Sequence, residues 1–227
     1  MTDYYARKLS GRRLQRCYEL AAPRLRQYLE AEILHLLERA PAGADLLELG
    51  CGYGRVVNRL AVAGLAAAGV DNAPENIRLA RELAPPAMDR RYFLMDALHL
   101  GFPDSSFDLV CCVQNGICAF GVDQEALLRE ALRVLRPGGR LLLSSYADAF
   151  WPERLAWFEA QASAGLIGSL DHAACGDGVI VCHDGFRSSR MRPQDFAALA
   201  DRVGLEAGID EVDGSCLFCE LRKPGGR

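Results

Sequence analysis

In the stretch "LLELGCGYGRV", residues 46–56, a carboxylate, Glu48, is followed by three glycines at alternate positions, Gly50, Gly52 and Gly54. Glycines after an apolar run let a nucleotide approach the backbone, because no Cβ stands in the way. A dinucleotide fold needs G-x-G-x-x-G, so that a pyrophosphate rests on a helix N-terminus. Gly50 and Gly52 match its first two positions, but Arg55 occupies the third. The phosphate loop G-x-x-x-x-G-K-[ST] is absent, and Glu48 would repel a phosphate. The spacing therefore asks for a ligand that wants glycines and a negative charge together. The bland reading is an ordinary strand–turn–helix corner.

Further polar residues follow in order. Asp71 ends "GVD", with Asn72 after it; Asp96 and Ala97 lie in "LMDAL"; Gln114 and Asn115 follow "SFDLVCCV". The ordered set over 45–146, including "LRVLRPGGRLLLS", resembles the class I S-adenosylmethionine-dependent methyltransferases. In particular it is similar to their small-molecule, ubiquinone- and menaquinone-methylating branch. The resemblance implies S-adenosylmethionine as cofactor and S-adenosylhomocysteine as product. That ligand has an ammonium and a sulfonium and no phosphate, which explains a carboxylate beside the glycines. It implies that Glu48 orients the ammonium, with Gly50, Cys51 and Gly52 against the methionine portion. Asp71 would hold the ribose hydroxyls, with Asn72 beside it, and Asp96 and Ala97 the adenine. Gln114 and Asn115 would border the sulfonium or the acceptor.

The acceptor side is less distinct. Tyr4, Tyr5 or Tyr18 could reach the cofactor from an N-terminal lid, and Tyr18 and Tyr146 are the candidates to line the acceptor pocket. Of four histidines, His35 and His99 suit packing. His172 and His183 are the candidates for a general base, if the acceptor needs one. Cys216 and Cys219 form C-x-x-C on a strand, where residues three apart face opposite sides, and no metal site is expected from them. Cys17, Cys175 and Cys182 could converge as in arsenite methyltransferases, which would make the acceptor a metalloid. An NAD-dependent oxidoreductase is a rival from another class, and Glu48 and Arg55 disfavour it. A non-catalytic paralogue that only binds the cofactor is a third reading.

These residues need a scaffold, and the pattern predicts one. Residues 23–39 place Leu25, Leu29, Ile33, Leu36 and Leu37 on one helical stripe. Strands are expected at 45–49, 65–71, 91–97, 106–114 and 140–147. Helices are expected at 54–64, 74–84 and from Asp123 to a stop at Pro137-Gly138-Gly139. Beyond 147 come a helical segment, an apolar strand at "VIVCHDG", a helix over 192–204 and two strands joined by Asp213-Gly214. The fold class is α/β: a doubly wound, Rossmann-like, mostly parallel sheet with an antiparallel C-terminal strand hairpin. One domain is expected, with a helical lid (1–40), a cofactor-binding core (41–147), a variable substrate-side segment (148–192) and a C-terminal helix and hairpin (193–222).

With 227 residues, half of them hydrophobic, the chain can bury a sizeable core. Its formal net charge of −4 argues against a nucleic-acid partner. No membrane-length apolar run and no signal peptide is expected, so the nine cysteines read as reduced thiols in a cytoplasmic protein. The oligomeric state is not predicted.

Overall fold

Short apolar segments separated by glycine turns become parallel strands, and the longer amphipathic segments cover them. The computed structural model describes residues 4–86, 88 and 91–226. Three helices come first: α1 (Tyr4–Lys8), α2 (Arg12–Glu19) and α3 (Pro23–Arg39). Then follow β1 (Asp45–Leu49), α4 (Arg55–Val62), β2 (Ala66–Asp71), α5 (Pro74–Leu83), β3 (Tyr92–Leu94) and β4 (Phe107–Cys112). After α6 (Gly116–Ala119), α7 (Gln124–Val134) and β5 (Leu135–Tyr146), a 3₁₀ turn leads into α8 (Trp151–Ser163). The remainder is β6 (Ile180–Val181), β7 (Arg187–Ser188), α9 (Pro193–Arg202), β8 (Gly208–Val212) and β9 (Cys216–Arg222).

Seven strands form one sheet in the order β3-β2-β1-β4-β5-β9-β8, the first five parallel and β9 antiparallel to both its neighbours. Successive residues of β1 feed different layers: Leu46 packs with α3 and α4 side chains, Leu47 and Leu49 with those of α7 and α9. A strand buried on both faces has no use for polar alternation, hence the near-continuous apolar runs. The strand order reverses between β1 and β4, and at such a switch point the carboxyl ends of the strands splay into a crevice. The Rossmann-like fold and the antiparallel hairpin are as the sequence predicts. Cys111 and Cys112 face opposite layers, as do Cys216 and Cys219.

Several boundaries differ, each for a local reason. The third strand stops at Leu94, because the Asp96 carboxylate accepts from Leu98 N–H and bends the chain. The fourth ends at Cys112, because Gln114 and Asn115 both turn left-handed, at φ 56° and 59°. Pro137-Gly138-Gly139 does not stop the chain; it lies inside β5, where the register with β4 shifts. "VIVCHDG" gives only the two residues of β6, which pair with β7 away from the main sheet. Asp213 and Gly214 both adopt φ 58°, as the Asp-Gly hairpin signal implies.

The helix α3 is core as much as cover. Its apolar stripe is buried, and with it Tyr28 and Glu32. Truncating Leu36, fully buried, would cost about 2–5 kcal/mol. Of the first three helices, α1 and α2 border the crevice. Among the described residues no helix is long and apolar enough to cross a membrane.

Candidate functional site

A cleft of about 1070 Å³ opens at the switch point. The loop after β1 forms its floor. Gly50 and Cys51 both donate their N–H to Val70 O of β2, at 2.8 and 2.9 Å, which folds the loop over the strand ends. Gly50 sits at φ 71°, and a Cβ there would lie 2.5 Å from the Phe120 ring. Close approach, not only turn geometry, requires glycine at this position.

Glu48 reaches the cleft from β1 with 4% of its surface exposed, and its Oε2 is buried without a partner. Burial pushes its pKa up to about 8, against the opposing pull of Arg55. A buried carboxylate with an unsatisfied oxygen is costly, so a cationic group entering the cleft gains what Glu48 lacks. Arg55 does not fill that role within the protein. Its guanidinium lies under the Tyr18 ring, 5.2 Å from the centroid, 3.8 Å from Glu32 Oε2, and donates to Leu29 O.

Asp71 faces the same cleft and is held by the protein. Its Oδ2 accepts from Gly52 N–H at 2.9 Å; its Oδ1 accepts from Ala73 N–H at 2.9 Å and Asn76 Nδ2 at 3.0 Å. Asn76 Oδ1 in turn accepts from Gly11 N–H at 2.7 Å, tying the start of α2 to this carboxylate. Asn72, Asp96 and Ala97 line the far end, where Asp96 is exposed. Cys51 and Gly52 complete the predicted floor.

Gln114 closes the other end. Its backbone N–H donates to Glu32 Oε1 and Ser144 Oγ, at 2.9 and 2.8 Å. Its side chain accepts from Tyr18 Oη at 2.9 Å and donates to Tyr146 Oη at 3.1 Å. A left-handed non-glycine residue costs of order 1–3 kcal/mol, and this one persists because Glu32, Ser144 and both tyrosines hold it.

Four predicted positions fall elsewhere. Asn115 lies outside the cleft: its amide donates to Ser189 O and accepts from Ser145 Oγ, both at 2.8 Å. It anchors the segment before α9. Tyr146 lies one side chain behind the cleft wall, touching Gln114 and lining a second cavity. His172 and His183 are both exposed and away from the cleft, His172 beside Glu159 at 4.0 Å. Neither imidazole lines the cleft, so the geometry lends no support to their expected role as general bases. Cys17, Cys175 and Cys182 do not gather: among the described residues no three His, Cys, Asp or Glu side chains converge as ligands. Burial raises the thiols of Cys17 to about 12 and Cys182 to about 11, leaving them protonated.

The structure adds residues the motifs did not name: Leu14, Tyr53, Arg55, Asn76 and Phe120 line the cleft, and Glu32 braces it from behind. Glu32 had a sequence signal, as the one acid on the apolar stripe of its helix. Phe120 and Asn76 had none.

Comparison with known proteins follows the same division. Residues 47–143 match the family described as methyltransferase domain. The chain is 35% identical over 111 residues to a 2-methyl-6-phytyl-1,4-hydroquinone methyltransferase of a Synechocystis strain, covering 48% of this chain and 34% of that one. It is 33% identical over 107 residues to a demethylmenaquinone methyltransferase of Tropheryma whipplei, covering 47% and 43%. The chain thus spans less than half the length of these curated relatives. Among solved structures, a magnesium protoporphyrin IX methyltransferase from Synechocystis with bound S-adenosylhomocysteine superposes with a TM-score of 0.64. It covers 97% of each chain at 17% identity. A Pyrococcus horikoshii protein gives 0.65 over 98% of this chain and 99% of its own, at 20% identity. These likenesses establish the fold.

Proposed function

From a chain whose residues 47–143 match a methyltransferase domain, we propose that it transfers a methyl group from S-adenosylmethionine to a small molecule, releasing S-adenosylhomocysteine. The observation that carries this is Glu48, a buried carboxylate with an unpartnered oxygen beside a glycine floor. The donor set suits the cofactor: one carboxylate for its ammonium, a second for vicinal hydroxyls, and no cluster of cations for a phosphate. When bound, the cofactor supplies an electrophilic methyl group on a sulfonium. Glu48, ionised, accepts from the ammonium; Asp71, pre-oriented by three protein donors, accepts from the ribose hydroxyls. Asp96 and the backbone of Ala97 take the adenine edge.

Gln114 and Tyr18 stand at the opposite end from the adenine, where the acceptor enters. Tyr5, Tyr18, Tyr53 and Phe120 line the cleft, which supports a planar, ring-bearing acceptor, in keeping with hydroquinone- and menaquinone-type relatives. Burial raises Tyr53 to about 12 and raises Tyr18 well above the ordinary phenol value, so neither accepts a proton near neutrality. The chain's share of the catalysis is therefore positioning the acceptor in line with the methyl group and excluding water. An acceptor that reacts as an anion must lose its proton to solvent first.

Calorimetry with S-adenosylhomocysteine and with NAD tests the assignment. Binding of the first and none of the second is expected. Tight NAD binding with no response to S-adenosylhomocysteine would restore the oxidoreductase reading. Release of S-adenosylhomocysteine with an acceptor present separates an enzyme from a silent binder.

A further inference from the structure

Arg154, in the first turns of α8, is the bulkiest side chain the fold buries completely. It is held without a counter-anion. Nη1 donates to Gly178 O at 2.8 Å; Nη2 donates to Ser188 O, Ser188 Oγ and Ser189 O, at 3.0, 2.9 and 3.1 Å. Its Nε is buried with no partner. Among the described residues no carboxylate forms an ion pair with Arg154, whereas Arg190 pairs with Asp148 and Arg192 with Asp177. A desolvated cation offset by carbonyl dipoles, one hydroxyl and aromatic faces, with no full negative charge beside it, still favours an anion.

The surroundings meet that demand with a place to put one. A small, open cavity, separate from the cleft, is lined by Arg154, Arg190, Trp151 and Tyr146, with Asp148 and Asp177 at its exposed margin. Helix α8 starts at this cavity, but its first amides add little: Trp151 N–H donates to Asp148 O, Pro152 has no N–H, and Glu153 lies in the first turn. The Arg154 guanidinium stacks 4.3 Å from the Tyr146 centroid, so the walls are flat and aromatic beside the charge.

We propose that this cavity binds the carboxylate of a small aromatic acid. Arg154 supplies the charge complement, Trp151 and Tyr146 flank the ring, and Arg190 becomes a second partner when it releases Asp148. Binding of a free acid here does not depend on the methyl-transfer reading; only its assignment to the methyl acceptor does. The Tyr146–Gln114 hydrogen bond joins the two walls. The acid is either the tail of the methyl acceptor or a separate molecule.

Titration of the full chain with benzoate and its neutral isostere benzamide tests the proposal. Benzoate should bind at least about tenfold more tightly than benzamide, a difference of one charge-assisted contact. Arg154→Gln should abolish that preference, with circular dichroism checking that the variant folds. Asp148→Asn, a change at an exposed side chain, should tighten benzoate binding several-fold by releasing Arg190. If Arg154→Gln does not fold, the Asp148→Asn result decides. Equal binding of benzoate and benzamide, or no response to Asp148→Asn, overturns the proposal and leaves Arg154 as a cross-link for residues 178–189. Repeating the titration with S-adenosylhomocysteine present assigns the source. A shifted benzoate affinity places the acid on the methyl acceptor, and an unchanged one makes it a separate ligand.

Discussion

The half of this protein assigned to the cofactor and the segment after residue 147 are built by different means. Residues 45–114 meet the cleft through strand ends, so the positions of Glu48, Asp71 and Gln114 follow from sheet register: Glu48 pairs with Gly69 and with Cys111, and Leu49 with Val70. Residues 148–192 hold together through side chains that grip backbone. Arg154 binds three carbonyl oxygens of a segment with only a two-stranded sheet of its own, and Asn115 adds a contact at Ser189. Register constrains sequence to short motifs, whereas a side chain gripping carbonyls leaves the gripped residues nearly unconstrained. That fits a family match that runs over residues 47–143.

The sharpest test of this division is Asp71→Ala. The substitution removes a ribose acceptor and also strands three protein donors, so it should cost about 3 kcal/mol of stability and raise the S-adenosylhomocysteine dissociation constant more than about a hundredfold. Denaturant titration and calorimetry read the two effects separately. A stable variant that still binds would mean the cofactor half does not rest on the strand-end carboxylates.

Glu48→Gln comes next, with about a ten- to hundredfold loss of S-adenosylhomocysteine affinity and little change for 5′-methylthioadenosine, which lacks the ammonium. Equal losses for both ligands would detach Glu48 from the ammonium. Its titration gives a second readout. A carboxyl raised to about 8 in the folded state binds a proton that the unfolded chain has lost above its ordinary value. The contribution of this group to stability is therefore complete at low pH and lost as pH rises through about 8. Glu48→Gln should flatten that part of the stability profile. In the wild type, binding an ammonium ligand at pH 7 should release a proton, seen as a dependence of binding heat on buffer; an absent dependence would place the ionised form in the unliganded protein.

Smaller effects are expected farther out. Asp96→Ala, at an exposed residue whose neighbour Ala97 keeps its backbone, should weaken binding less than about tenfold. His172→Ala and His183→Ala should leave turnover within about twofold and keep any limb of the pH profile near neutrality, because neither side chain meets the cleft. A large loss from either would mean that residues 148–192 rearrange when ligand binds.

The legible parts were those encoded in adjacent backbone. Alternating strands and helices, the glycine floor and the Asp213-Gly214 turn could be read because each depends on φ, on Cβ absence or on apolar period. Asn115 misled because two consecutive left-handed residues turn neighbouring side chains to different places: Gln114 into the cleft and Asn115 toward Ser189. His183 was expected at the end of a strand where only a small separate sheet forms, and His172 in a polar turn; both imidazoles face outward. Tyr146 was expected one layer nearer the ligand than it lies. Glu32 and Asn76 act across 82 and 65 residues of sequence, a range at which spacing holds no information.

The placing of β9 between β5 and β8 has a consequence for the newborn chain. Synthesis runs from the N-terminus, and domains begin to fold as they emerge. Until residues 216–222 have been made, the β5 edge, with Leu141, Leu142 and Leu143, has no partner on that side. An unpaired apolar edge is a template for the same edge on a neighbouring polysome chain. Yield in a cell is therefore expected to depend on chaperone supply and translation rate more than the finished stability suggests, because the β5 edge stays open until β9 is made.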